Sequence, residues 1–138
     1  MTALLKSREL VLALILAAGV AIIGAYDPVF VRWQNISDLL TETSVLFMLA
    51  LAQMVVILTR GIDLSVAANL ALSGFVAALV SQYYPEVPLI LMIVAGVAVG
   101  LVLGMINGAL VALLGIPPIV VTLGTLAVYR GMIIILAG

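Results

Sequence analysis

Long apolar runs separated by short polar clusters organise this chain. Leu10–Tyr26, Leu39–Thr59, Leu64–Gln82, Pro88–Leu114 and Ile119–Gly138 each run for 17 to 27 residues with few interruptions. A helix needs about 20 apolar residues to cross about 30 Å of hydrocarbon. The pattern therefore predicts an all-α, polytopic transmembrane helical bundle of about five spans, near 10–26, 39–59, 64–82, 88–114 and 119–138. Glu42 sits near the entry of the second span, and Arg130 interrupts the fifth. The fourth is long enough to tilt or to run into the interface. A transmembrane barrel would need alternating runs of about 10 residues, a pattern not found here.

Composition narrows the class. Of 138 residues, 67% are hydrophobic and 8% are charged. A soluble domain carries about 25% charged residues to cover its surface, so an ordinary soluble fold and a disordered chain are both excluded. The net charge of −1 provides no basic patch, and no nucleic-acid partner is expected. Cys and His are both absent. Thiol chemistry, disulfides, the commonest metal ligand and the usual neutral-pH base go with them. No catalytic, cofactor-binding or metal-binding residues are expected, and the chain does not read as an enzyme. A phosphate-binding loop needs Gly-Lys-Ser/Thr, and the sole lysine is Lys6. Any ATP hydrolysis would belong to a separate subunit.

Charge also suggests orientation. Lys6 and Arg8 precede the first span, which favours a cytoplasmic N-terminus. Asp27–Glu42 then lies outside, with Tyr26, Phe30 and Trp33 suited to the interface. Arg60–Asp63 returns to the inside or near it, Tyr83–Pro88 forms an outer turn, and Gly115–Pro118 forms the next turn. A cleaved signal peptide fits poorly, because Ile23 would stand at −3 of a cut after Ala25.

Small residues mark where helices approach. Gly96, Gly100, Gly104 and Gly108 recur every fourth residue in the fourth span, and Ala17, Ala21 and Ala25 form a weaker stripe in the first. Such stripes let backbones pack closely. A gating helix that slides on its glycine face is the functional alternative. Asn107, beside Gly104 and Gly108, reads either as an interhelical clamp or as a path-lining amide, and Gln53 poses the same choice.

The stretch Arg60–Ser73 is richer. Gly61 reads as a helix breaker and Asp63 as the N-cap of the next helix, within reach of Arg60 for neutralisation. Ser65, Asn69 and Ser73 fall at i, i+4 and i+8, on one face. A polar stripe on a membrane helix faces either a partner helix or a wet path. In Gly115–Gly131, Pro117 and Pro118 suit a turn or a first helical turn. Thr122, Thr125 and Tyr129 follow on one side. Neutral hydroxyls and amides suit neutral, hydroxylated solutes better than ions. Proton-coupled transport normally requires a buried Asp, Glu or His, and the carboxylates here all lie near span ends, which speaks against half of a secondary transporter. A small glycine-zippered assembly subunit is the other alternative.

These two stretches resemble signature segments of bacterial sugar ABC importer permeases, in the branched-chain amino acid/ribose permease superfamily. The first is matched at Leu58, Thr59, Ile62, Asp63, Leu64, Ser65, Val66 and Leu72. The second is matched at Asn107, Gly108, Leu110, Val111, Ala112, Leu114, Ile116, Pro117, Thr122, Leu123, Gly124, Thr125, Leu126, Tyr129, Arg130 and Gly131. Val66-Ala67 departs from the usual Val-Gly. Ala67-Ala68-Asn69 and Thr59-Arg60 resemble the rhamnose-type or autoinducer-type branch, which shifts the expected solute toward a deoxyhexose. The resemblance implies import by alternating access across the bacterial inner membrane. It implies a second permease chain, two ABC ATPase subunits and a periplasmic sugar-binding protein. Complete permeases of this kind are much longer, so the chain is expected to be an N-terminal portion that does not transport alone. Ser65, Asn69, Ser73, Thr122, Thr125 and Tyr129 are the expected path-lining residues. Asn69→Leu and Thr125→Leu are expected to abolish uptake while leaving assembly intact.

Overall fold

A computed structural model describes residues 8–138, all five regular elements of which are helices. Lys6, one of the two residues behind the orientation argument, lies outside the described residues. The helices are α1 (Arg8–Tyr26), α2 (Trp33–Leu58), α3 (Val66–Tyr83), α4 (Leu89–Ala112) and α5 (Pro118–Ala137). Each is long and apolar enough to cross a membrane. The chain divides into two compact units, Met1–Phe47 and Met48–Gly138, with the boundary inside α2.

In the first unit the α1–α2 connection is tightly wound. The Asp27 amide donates to the Ile23 carbonyl at 2.7 Å, and Asp27 Oδ1 accepts from the Val29 amide at 2.9 Å. Asn35 Nδ2 donates back to the Phe30 carbonyl at 2.8 Å. Helix α2 begins at Trp33 rather than near 39, because the helix continues through the exposed Asp38 and Glu42 before entering the apolar run. A span read from hydropathy starts where hydrocarbon begins, whereas the backbone helix also crosses the polar interface.

In the second unit α3, α4 and α5 pack on one another. Their shared core is Ala68, Leu72, Leu103 and Tyr129, with Val76, Val99, Leu126 and Ile133 against it. Most other large apolar side chains are exposed. That is the expected state of a chain whose outer solvent is lipid, since lipid supplies no hydrophobic drive to bury them.

The chain breaks between α2 and α3 in a way that corrects the sequence expectation. Gly61 is not the residue that turns the backbone: Arg60 takes the left-handed conformation, at φ 61°. The Gly61 amide reaches the Val56 carbonyl at 3.0 Å and the Arg60 amide the Ile57 carbonyl at 2.9 Å. This is the bond pair of a Schellman ending, with Arg60 where glycine usually stands. Gly61 instead sits where its neighbours come close. A Cβ there would lie 3.2 Å from Val56 Cγ1 and 3.6 Å from Pro118 Cβ. The break before α5 uses a left-handed glycine, Gly115 at φ 66°, followed by Pro117 at the cap and Pro118 at the first helical position.

Candidate functional site

Asp63 does not cap α3 directly. Helix α3 starts one residue after Ser65, and Asp63 Oδ1 accepts from both the Ser65 amide and the Ser65 hydroxyl, each at 2.7 Å. Asp63 thus closes a small side-chain turn ahead of the helix. Its effect is to fix the Ser65 hydroxyl, which is wholly buried.

That hydroxyl starts a chain of bonds across three helices. Ser65 Oγ gives its proton to Asp63 and accepts from Asn107 Nδ2 at 2.7 Å. Tyr129 Oη lies 3.3 Å from Asn107 Oδ1 and 2.9 Å from the Leu103 carbonyl, and directs its one proton mainly to the nearer oxygen. Asn107 is 6% exposed and Tyr129 3%. Burying an amide and a phenol in an apolar bundle is costly unless they are paired. Here each pairs with another helix, so the start of α3, the end of α4 and the middle of α5 are tied together. A separate bond ties the start of α5 to the loop: Thr122 Oγ1 donates to the Ile62 carbonyl at 3.2 Å.

The α3 stripe faces α4. Asn69 Nδ2 donates to the Gly100 carbonyl at 3.3 Å, leaving Asn69 Oδ1 buried without a partner among the described residues. Ser73 Oγ bonds within its own helix, to Leu70, and the Ser73 backbone lies under Gly96. Thr125 likewise returns its hydroxyl to the Val121 and Thr122 carbonyls. Because Asn69 bridges helices, Asn69→Leu is expected to disturb assembly as well as uptake, contrary to the expectation from sequence. Gln53 Oε1 is a second buried amide oxygen without a partner among the described residues.

The glycine stripe of α4 divides. A Cβ on Gly96 would lie 3.4 Å from Ala77 Cβ and from the Ser73 carbonyl; one on Gly100 would lie 3.6 Å from Asn69 Oδ1. At Gly104 and Gly108 a Cβ would meet nothing within 4 Å. The stripe drifts about 40° per step around the helix axis, so a four-residue repeat cannot keep one straight neighbour along its length. Close packing is therefore made at Gly96 and Gly100. Gly104 and Gly108 instead border a cleft of about 320 Å³, together with Asp63, Asn107, Thr122, Thr59, Gly61 and Pro118.

Of the six residues expected to line a path, Thr122 borders this cleft. Ser65 and Tyr129 are buried in the bond chain, Asn69 and Ser73 pack on α4, and Thr125 bonds to its own helix. Asp63, expected as a helix cap, and Gly104 and Gly108, expected as packing glycines, also border the cleft. Gly104 and Gly108 flank Asn107 on α4, but nothing in the sequence brings Asp63, in the α2–α3 connection, next to them.

Residues 35–138 match the model of the branched-chain amino acid transport system permease component family. The chain belongs to this family. Among the permease's relatives, the D-allose transport system permease protein of Escherichia coli is 40% identical over 89% of this chain and 38% of its own length. The autoinducer 2 import system permease protein of an Enterobacter species is 34% identical over the whole chain and 40% of its own length. The ribose import permease protein of Haemophilus influenzae is 36% identical over 94% of the chain and 38% of its own length. The permease chain thus spans about two fifths of the length of these relatives. No solved structure matches it.

Proposed function

We propose that this chain forms part of the membrane path of a binding-protein-dependent ABC importer for a monosaccharide, in the bacterial inner membrane. The observation that carries the reading is its similarity, along nearly the whole chain, to permeases named for transport of allose, autoinducer 2 and ribose. The site chemistry supports it. Asn107, Thr122 and Thr59 bring neutral donors and acceptors to a cleft where α4 meets the starts of α3 and α5.

In this reading a second permease chain completes the path, separate ATPase subunits drive it, and a periplasmic binding protein delivers the sugar. With Lys6 and Arg8 on the cytoplasmic side, the α2–α3 and α4–α5 connections also face the cytoplasm, and the cleft opens near that side. The solute is a neutral monosaccharide; rhamnose and other deoxyhexoses belong among the candidates because of the Thr59-Arg60 and Ala67-Ala68-Asn69 pattern.

The test is reconstitution of the intact protein in proteoliposomes with the ATPase and binding protein encoded beside it. Uptake of labelled allose, galactose, ribose and rhamnose is followed with and without ATP. ATP-dependent uptake of at least one sugar, lost when the ATPase is omitted, is expected. Uptake driven by an ion gradient without ATPase, or no uptake of any sugar, would overturn the reading.

A further inference from the structure

The bond chain across α3, α4 and α5 leaves hydrogen-bonding capacity unspent at one place, the cleft. A neutral amide carries two hydrogens. Asn107 gives one to Ser65, and the other has no partner among the described residues although the side chain is buried and borders the cleft. Asp63 takes both of its bonds on Oδ1, which leaves Oδ2 open as an acceptor. Thr122 gives its proton to Ile62 and retains acceptor lone pairs. Gly104 and Gly108 supply wall with no side chain, beside open space.

One free donor next to a free carboxylate oxygen selects a ligand class. A cation would satisfy Asp63 and leave the Asn107 hydrogen idle. An anion would meet the Asp63 charge. A vicinal diol answers both groups at once: one hydroxyl donates to the carboxylate and its neighbour accepts from the amide. We propose that this cleft is a diol-binding subsite for one edge of a sugar ring, with Asp63 and Asn107 as its recognition pair. Gly104 and Gly108 set the size of ring it admits. This rests on the transport reading above and assigns that reading its contact residues.

Equilibrium binding and uptake of labelled hexose by the intact transporter test it together. Asp63→Asn retains an oxygen for Ser65 but removes the charge, and weakens hexose binding about tenfold, the loss expected for one charge-assisted bond. For a sugar that lacks the hydroxyl facing Asp63, the same substitution costs much less. Gly104→Leu and Gly108→Leu fill the cleft and abolish binding and uptake with the melting temperature unchanged, while Gly104→Ala penalises a hexose more than a pentose. Gly74→Ala, on an open face of α3, serves as the unaffected control.

Undiminished binding in Asp63→Asn and Gly104→Leu overturns the proposal. So does a fall in melting temperature for Gly104→Leu, which would mean that protein, not solute, occupies the cleft. A wild-type transporter that binds hexose through these residues but does not move it removes the transport reading and leaves the subsite standing. Normal uptake that ignores all of these changes removes the subsite and leaves the transport reading.

Discussion

The two ends of the α3–α4 pair are held by different physics. At one end Gly96 and Gly100 bring the backbone of α4 against Ser73, Ala77 and Asn69, so contact area does the holding. At the other end Gly104 and Gly108 touch nothing, and Asn107 reaches Ser65 across the gap. Close packing at every step would have closed the cleft. A directional bond keeps the helices together and leaves space beside them. Identical residues at identical spacing therefore do opposite things, depending on whether a neighbouring helix is there to meet them.

Substitutions that exchange the two ends should break this comparison. Gly96→Leu forces a side chain into Ala77 and the Ser73 backbone, and is expected to destabilise the bundle by about 2–3 kcal/mol, the usual penalty for overpacking. Gly104→Leu, by contrast, should leave stability nearly unchanged. Thermal unfolding in detergent compares them directly, and equal losses would erase the distinction. Asn107→Leu removes the bond that spans the open end and leaves the Ser65 hydroxyl with one partner fewer. A loss of about 2 kcal/mol is expected, larger than for a surface change of the same size.

Tyr129→Phe sharpens the picture further. It retains the ring packed in the core and deletes the bonds to Leu103 and Asn107. About 1 kcal/mol should be lost, in line with interhelical bonds in membranes, and a double substitution with Asn107 should cost less than the sum. Thr125→Val is the smallest change. Its hydroxyl serves only its own helix, so a shift within about 0.5 kcal/mol is expected.

The bundle of membrane helices was legible because apolar runs of spanning length admit few other folds. The helix ends were less so. Asp38 and Glu42 marked a polar boundary, yet α2 extends past them to Trp33, since the interface solvates charges without unwinding a helix. Asp63 resembled a cap because carboxylates before helices usually are. Its partners are the Ser65 amide and hydroxyl, and that hydroxyl also meets Asn107, 42 residues further along the chain. Asn107 and Thr122 stood out as polar residues in apolar runs, and both border the cleft. Gly104 and Gly108 could not be told from Gly96 and Gly100, because spacing says nothing about what lies opposite.

The bond chain also bears on how the protein is made. Ribosomes deliver α3, α4 and α5 to the membrane in that order. A hairpin of the first two already lets Ser65 and Asn107 find each other, but the remaining side of Asn107 waits for Tyr129. Arrival of the last helix thus completes the pairing begun by the earlier two. A nascent chain that stops before Tyr129 lacks the side chain that meets Asn107 Oδ1 in the finished bundle.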